Sequence, residues 1–375
     1  MINSTAIGGG VAECLKRVVP LLNDLEIPTK WEVMRGEDDF FVVTKAIHNA
    51  LHGEPVEVTS KMWEVFQETT DFNAFQMSFD EDIIVVHDPQ PVGLIKMKRD
   101  RGGKWVWRCH IDISRPDQKV WDYLRRYVME YDASIFSSAV FAQKLPIPQY
   151  MIFPSIDPLA EKNRDIPLEF VDKTLERFGI DKKRPIITQI SRFDRLKDPL
   201  GVIKAYKIAK KHGDSQLVLA GGGAADDPEG LQVLQEVKEA ATGDPDIHVI
   251  ELPPFSDLEI NALQRASTII LQKSLREGFG LTISEALWKK KPVIASDVGG
   301  IPIQVIHNLT GLLVHSIDGA AYYIRYLLRN PDFARKLGEN GHEYVKGRFI
   351  VTRNLMSYLS LFIAMDYPGE RIIYL

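Results

Sequence analysis

Pro185-Ile186-Ile187-Thr188-Gln189-Ile190-Ser191 runs directly into Arg192-Phe193-Asp194-Arg195-Leu196-Lys197-Asp198-Pro199. The first stretch is short, apolar and rich in β-branched residues, the pattern of a strand buried on both faces. The second is polar and ends in Asp-Pro, a signal for the start of a helix. The spacing predicts that helix over 199–210. Strand, polar turn and helix together make one unit of a parallel α/β fold.

The same unit recurs along the chain. Strands are predicted over 185–191, 216–220, 247–251, 268–271, 293–296 and 311–314. Helices are predicted over 199–210, 230–241, 256–265 and 283–288. The first half carries an independent set, with strands over 29–35, 82–87, 105–110 and 133–137 and helices over 11–24, 40–51, 60–69 and 118–130. Pro146, Pro148, Pro154 and Pro158 crowd the stretch between the halves, which reads as a linker. The expectation is an α/β chain of two doubly wound, Rossmann-like domains, 1–155 and 156–350, facing an interdomain cleft. Ligands of such sheets bind at the carboxyl ends of the strands.

Composition narrows the class. The chain has 375 residues, enough for two domains, is 45% hydrophobic and 26% charged, and has a net charge of −5. Its basic residues form no long run, which argues against nucleic-acid binding. Its two cysteines, Cys14 and Cys109, form neither a CxxC pair nor a disulfide framework. No apolar stretch approaches the roughly 18 residues of a membrane helix, and no signal segment opens the chain. A cytoplasmic protein without membrane contact is expected.

Two loops carry chemistry. Arg192 and Lys197 lie where a strand ends and a helix begins. Arg offers planar paired donors, Lys a point charge and the helix start unpaired N–H groups, a combination suited to a diphosphate. A solvated basic loop is the plainer alternative. Glu277-Gly278-Phe279-Gly280-Leu281-Thr282-Ile283-Ser284-Glu285 follows the predicted strand 268–271. Its glycines allow close backbone approach, and N–H groups near Phe279, Gly280, Leu281 and Thr282 would open a helix. Glu277 and Glu285 could each accept a pair of sugar hydroxyls, although Glu285 alone also suits the helix dipole.

In the first half, Gly8-Gly9-Gly10 opens a helix without the spacing of a P-loop or a dinucleotide fingerprint. Only residues 1–5 precede it, which is short for a first strand, so either that strand is clipped or the chain start is incomplete. His87, Asp88 and Gln90 follow one predicted strand, and Arg108, His110 and Asp112 end another. All six are suited to sugar hydroxyls. No metal-binding cluster stands out, so basic side chains are expected in place of a metal, with free Mg²⁺ at most stimulating nucleotide binding.

The Glu-x7-Glu element with Ser191-Arg192-Phe193-x3-Lys197 upstream resembles the retaining glycosyltransferases of family 4, which have the GT-B fold. That resemblance implies that Arg192 and Lys197 hold the donor diphosphate, Glu277 the donor hexose and Glu285 the ribose. It places Gly278, Phe279, Gly280, Leu281 and Thr282 against the sugar and phosphate, and Gly221, Gly222, Gly223 and Leu252 near the nucleotide. It implies that Gly8 and Gly9 lie near the diphosphate or the acceptor.

A longer match is similar to the trehalose glycosyltransferring synthases. It runs from Asn3-Ser4-Thr5 through His87-Asp88-Pro89-Gln90-Pro91, Trp107-Arg108-Cys109-His110-Ile111-Asp112 and Ser155-Ile156-Asp157-Pro158-Leu159 to Glu277 and Glu285. It implies reversible, retaining transfer of glucose from UDP-, ADP- or GDP-glucose to free glucose, giving α,α-trehalose. His110 would orient the acceptor, with His87, Asp88, Gln90, Arg108 and Asp112 binding it. The catalytic set is then His110, Glu277, Arg192 and Lys197. The GT-B pattern also implies that a last helix, 351–366, completes the N-terminal domain.

The sequence departs from that family at its short start and at 367–375. Rival readings are a related enzyme with a sugar phosphate or glucan acceptor, or a non-catalytic sugar-nucleotide-binding protein. A homodimer is compatible with the sequence.

Overall fold

The computed structural model describes residues 1–6, 9–222 and 228–367. Gly8 and Gly223, singled out above, lie outside the described residues. The chain divides into two compact units, Met1–Ser155 with the chain from Val351 onward, and Ile156–Ile350.

The first unit has strands β1 (Ile2–Asn3), β2 (Glu32–Val33), β3 (Ile83–His87), β4 (Lys104–Arg108), β5 (Ala133–Phe136) and β6 (Gln149–Met151). They form one parallel sheet in the order β2-β1-β3-β4-β5-β6. Its helices are α1 (Gly9–Asp24), α2 (Asp38–Leu51), α3 (Ser60–Gln76), α4 (Lys98–Arg101) and α5 (Gln118–Val128).

Three differences from the sequence reading have local causes. The predicted strand 29–35 shrinks to Glu32–Val33 at a sheet edge. The helix predicted to end at 69 runs to Gln76, because Phe66, Thr70, Asn73 and Ala74 continue its buried stripe. The Pro-rich stretch read as linker contains β6, which pairs with β5 as the other edge strand. Prolines are tolerated around an edge strand, where a missing N–H breaks no central ladder.

The second unit has strands β7 (Ile186–Ile190), β8 (Gln216–Gly222), β9 (Ile247–Leu252), β10 (Ile269–Gln272), β11 (Val293–Ser296) and β12 (Leu312–Val314). Helices α6 (Leu168–Arg177) to α13 (Pro331–Arg348) surround them, with α7 at Pro199–Lys210, α8 at Pro228–Ala241, α9 at Asp257–Ala266, α10 at Leu281–Trp288, α11 at Ile301–Gln304 and α12 at Ile317–Arg329. The order β12-β11-β10-β7-β8-β9 is again all parallel. Every residue of β7 and β10 is buried, the polar Thr188, Gln189 and Gln272 included, as central strands of a sheet covered on both faces require.

Helix α14 (Val351–Asp366) returns to the first unit. Val351, Leu355, Tyr358, Leu361 and Met365 repeat every three or four residues and are all buried. They pack with Val18 and Leu22 of α1 against Val85, Val106 and Ile135 of the sheet. At about 1.5–3 kcal/mol per buried apolar side chain, this stripe is a major part of that face's cohesion.

Candidate functional site

Strand order determines where loops converge. In the second unit the order reverses between β7 and β10, which are neighbours although β8 and β9 intervene in the chain. Ligands bind at such a switch point in open α/β sheets. The loop after β7 carries Arg192 and Lys197, and the loop after β10 carries Glu277. Their meeting is visible: the Lys197 ammonium donates to Glu277 Oε2 at 2.6 Å. Ser274 Oγ donates to the same oxygen at 3.2 Å. The backbone joins the loops as well, with Leu275 N donating to Leu196 O at 2.7 Å. Arg192 leaves its side chain 57% exposed, 3.6 Å from Asp194 Oδ2.

The two helix starts differ. Asp198, in the left-handed conformation, caps α7 by accepting from Gly201 N at 3.0 Å, and also pairs with Lys273. The expectation of open N–H groups beside Lys197 is therefore corrected, because Asp198 itself occupies that helix start. Helix α10 begins instead at Gly280, with φ of 86° and no side-chain cap. A left-handed residue there favours glycine. The first N–H groups of α10, from Leu281 and Thr282 onward, thus form the uncapped helix start at this switch point.

The turn before α10 is built from close backbone contacts. Gly300 N donates to Glu277 O at 3.0 Å, and a Cβ on Gly300 would overlap Gly278 O. Gln304 Nε2 donates to the carbonyls of Phe279 and Gly280. The Phe279 ring is buried edge-on against Phe349, so this residue offers its backbone rather than its ring.

Glu285 is buried in α10. Its carboxylate accepts from Gln264 Nε2 at 3.3 Å and lies 3.7 Å from Lys162 Nζ. Lys162 and Gln264 were not singled out in the sequence, and their separation from Glu285 in the chain gives no local signal. Leu252 ends β9 as a buried core residue paired with Gly222, so its side chain is packing. Gly221 has no room for a Cβ, which would overlap Ser191 O.

In the first unit the order reverses between β1 and β3. Gly9 starts α1 after β1. His87 ends β3 and Arg108 ends β4, side by side in register. His110 lies two residues beyond its strand rather than capping it. His87 Nδ1 and His110 Nε2 are 2.9 Å apart. Burial and the Arg108 charge hold both imidazoles far below the ordinary histidine pKa, so both are neutral at pH 7.

Asp88 is clamped in the left-handed region at φ 67°. Its N–H donates to Arg108 O at 2.7 Å, its carbonyl accepts from Trp107 Nε1 at 3.0 Å, and its Oδ1 accepts from His110 N at 2.7 Å. Burial pushes its carboxyl up to about 7, against the opposing effect of the His110 N–H and Arg108.

Arg108, His87 and Asp112, expected to bind the acceptor, lie in the interior instead. Each is at most 2% exposed. Alternation along β4 turns Trp105 and Trp107 to one face and leaves Val106 and Arg108 on the other. Asp112 accepts from Ser114 N and Oγ at 2.9 and 2.6 Å. His110, Asp88 and Gln90 are partly exposed. Among the described residues, no cluster of His, Cys, Asp and Glu could hold a metal, and no helix is long and apolar enough to cross a membrane.

Comparison with known proteins agrees with this geometry. Residues 1–143 match the family model "Trehalose synthase, N-terminal domain", and residues 171–344 match "Glycosyl transferases group 1". The chain is 43% identical over 366 residues to trehalose synthase of Thermococcus litoralis, covering 96% of this chain and 89% of the relative. It is 42% identical over 370 residues to trehalose synthase of Rubrobacter xylanophilus, with the same coverage. An α,α-trehalose-phosphate synthase (UDP-forming) from Burkholderia xenovorans, solved with glucose-6-phosphate, shares the fold. Its TM-score is 0.79 at 14% identity, over 98% of this chain and 99% of that one. The two parallel sheets are those of the GT-B fold, and the chain belongs to the trehalose synthase family, glycosyltransferases that make trehalose.

Proposed function

We propose that the chain transfers glucose, with retention and reversibly, from a nucleoside-diphosphate glucose to free glucose, giving α,α-trehalose. The observation that carries this reading is the Lys197–Glu277 pair at the β7/β10 switch point, beside the uncapped start of α10 and the exposed Arg192. These are groups for a diphosphate and a hexose side by side. Lys197 exchanges its Glu277 partner for diphosphate oxygens, Arg192 adds paired donors and the α10 N–H groups add dipole. Glu277, freed of Lys197, accepts hexose hydroxyls. Glu285 serves the ribose, sharing its carboxylate with Lys162.

In the transfer step the bond from the anomeric carbon to the phosphate oxygen breaks. The acceptor oxygen bonds to that carbon on the same face, and its proton passes to the departing phosphate. His110 orients the acceptor, with Asp88 and Gln90 beside it. His87, Arg108 and Asp112 support this set from beneath. Cations and helix N–H groups meet the developing negative charge, as preorganised electrostatics requires. Mg²⁺ is at most a stimulant.

An acceptor phosphate would want an exposed cation in the first unit's motifs, and burial of Arg108, the one basic residue in His87–Pro91 and Trp107–Asp112, favours free glucose over a sugar phosphate. The test is incubation with UDP-, ADP- and GDP-glucose and either glucose or glucose 6-phosphate, with maltose alone as a control. Nucleoside diphosphate and trehalose released in equal amounts with glucose support the reading. Release only with glucose 6-phosphate, trehalose from maltose alone, or binding without turnover would replace it.

A further inference from the structure

Lys162 sits in a stretch without helix or strand, residues 157–165, between β6 and α6. Side chains of the second unit pin that stretch on both sides of it. Asn261 Nδ2, in α9, donates to Glu161 O at 2.7 Å and to Arg164 O at 2.8 Å. Arg265 Nη2, one turn further along α9, donates to the carbonyls of Asn163 and Arg164. Lys289 Nζ, just past α10, donates to Asn163 Oδ1 at 3.0 Å. Asn261 and Asn163 are at most 1% exposed, so breaking these bonds would leave buried polar groups unmet. The stretch is held in place, and it carries Lys162 to the carboxylate of Glu285.

This pair differs from Lys197 and Glu277, where the ammonium closes to 2.6 Å. Lys162 Nζ stays 3.7 Å from Glu285 Oε1, beyond hydrogen-bond range, and 3.8 Å from Asp257 Oδ1. The other Glu285 oxygen is fixed by Gln264 Nε2 at 3.3 Å. Lys162 is the outer member of the pair, its side chain 15% exposed against 1% for Glu285. A sugar hydroxyl both donates and accepts, whereas a carboxylate only accepts and an ammonium only donates. The two together therefore satisfy a hydroxyl that neither satisfies alone. Their 3.7 Å separation lets one hydroxyl oxygen reach both at ordinary hydrogen-bond lengths.

We propose that Lys162 is a ribose-binding residue and acts with Glu285 as one clamp, the carboxylate accepting from a ribose hydroxyl and the ammonium donating to it. The inference rests on the proposed reading of Glu285 as the ribose ligand and adds the cation to it. The rival role for Lys162 is neutralisation of a buried carboxylate and nothing more. Stability does not separate the two, because losing Lys162 leaves Glu285 buried without its cation in either case. The ribose hydroxyls do separate them, since only the clamp touches them.

The test is calorimetric titration of the full chain with UDP, ADP and GDP and with their 2′,3′-dideoxy forms. For the nucleotide that binds most tightly, the wild type should prefer the ribose form about tenfold or more, as hydrogen bonds to charged groups allow. Lys162→Met should cut that preference about threefold or more and leave the affinity for the dideoxy form unchanged. A preference left intact in the folded variant overturns the inference. Equal weakening of both forms overturns it too, because that pattern marks a phosphate contact or a structural role. If Lys162→Met fails to fold, Lys162→Ala, which lets water reach Glu285, takes its place with the same criteria. No preference in the wild type means that Glu285 does not hold the ribose, and overturns that reading and the clamp with it. A wild-type preference that survives the loss of Lys162 overturns the clamp alone, so the two failures are distinguishable.

Discussion

Lys197 and Glu277 are 80 residues apart in the chain and 2.6 Å apart in space. Removing either leaves the other partly buried and uncompensated, so their variants would mix stability with catalysis. Arg192 gives the cleaner test, since its side chain is largely exposed. Arg192→Met should leave stability within about 0.5 kcal/mol of wild type. It should lower kcat about 10²–10³-fold, the usual cost of one transition-state donor. Denaturant melts and initial rates check both halves.

Asp88 gives a prediction in pH. Its folded-state pKa of about 7 lies above the unfolded value of 3.8. The folded form therefore holds the proton longer, and its contribution to stability is lost as pH rises from near 4 to 7. Asp88→Asn keeps the oxygen that accepts from His110 N and tolerates the left-handed backbone. Its melting temperature relative to wild type should rise between pH 5 and pH 8, while activity falls. His87 and His110 act with the opposite sign. Their folded pKa values are depressed, so stability falls as pH drops below about 6.5, where the unfolded chain takes up protons.

At the level of elements, the loops after β7 and β10 were legible because strand, glycine and helix signals bracket them. The cap on α7 was misread, since Asp198 can either open a helix to a ligand or close it, and only geometry tells which. Lys162 beside Glu285 and the inward turn of Arg108 were not legible, because each depends on packing between distant segments. Strands β2 and β6 were misjudged for a related reason: edge strands are short and tolerate prolines, so their composition is weak. Gly300→Ala tests the turn before α10. It should displace the backbone of Gly278, weaken nucleotide-sugar binding by calorimetry and leave the far-UV spectrum unchanged. In α14, Leu361→Ala should cost about 2–5 kcal/mol in denaturant unfolding, since this side chain is buried in the core that α14 shares with α1 and the sheet.

At the scale of the whole molecule, α14 ties the end of the chain to the first unit. Trp31, Trp63, Trp105, Trp107 and Trp121 lie in that unit, leaving only Trp288 of the six tryptophans in the second. Ending the chain at Ile350 should therefore abolish most of the native tryptophan signal and all turnover. Nucleotide binding, assigned to the second unit, should persist.

Together the units are assigned one reaction, and isotope tracing tests it most directly. The intact chain is incubated with UDP-, ADP- or GDP-glucose and glucose labelled with ¹³C at C1, and the products are followed by NMR. The label should enter α,α-trehalose, with both anomeric centres α and one nucleoside diphosphate released per disaccharide. Label remaining in free glucose while nucleotide sugar is hydrolysed, or entering any disaccharide other than α,α-trehalose, would contradict it.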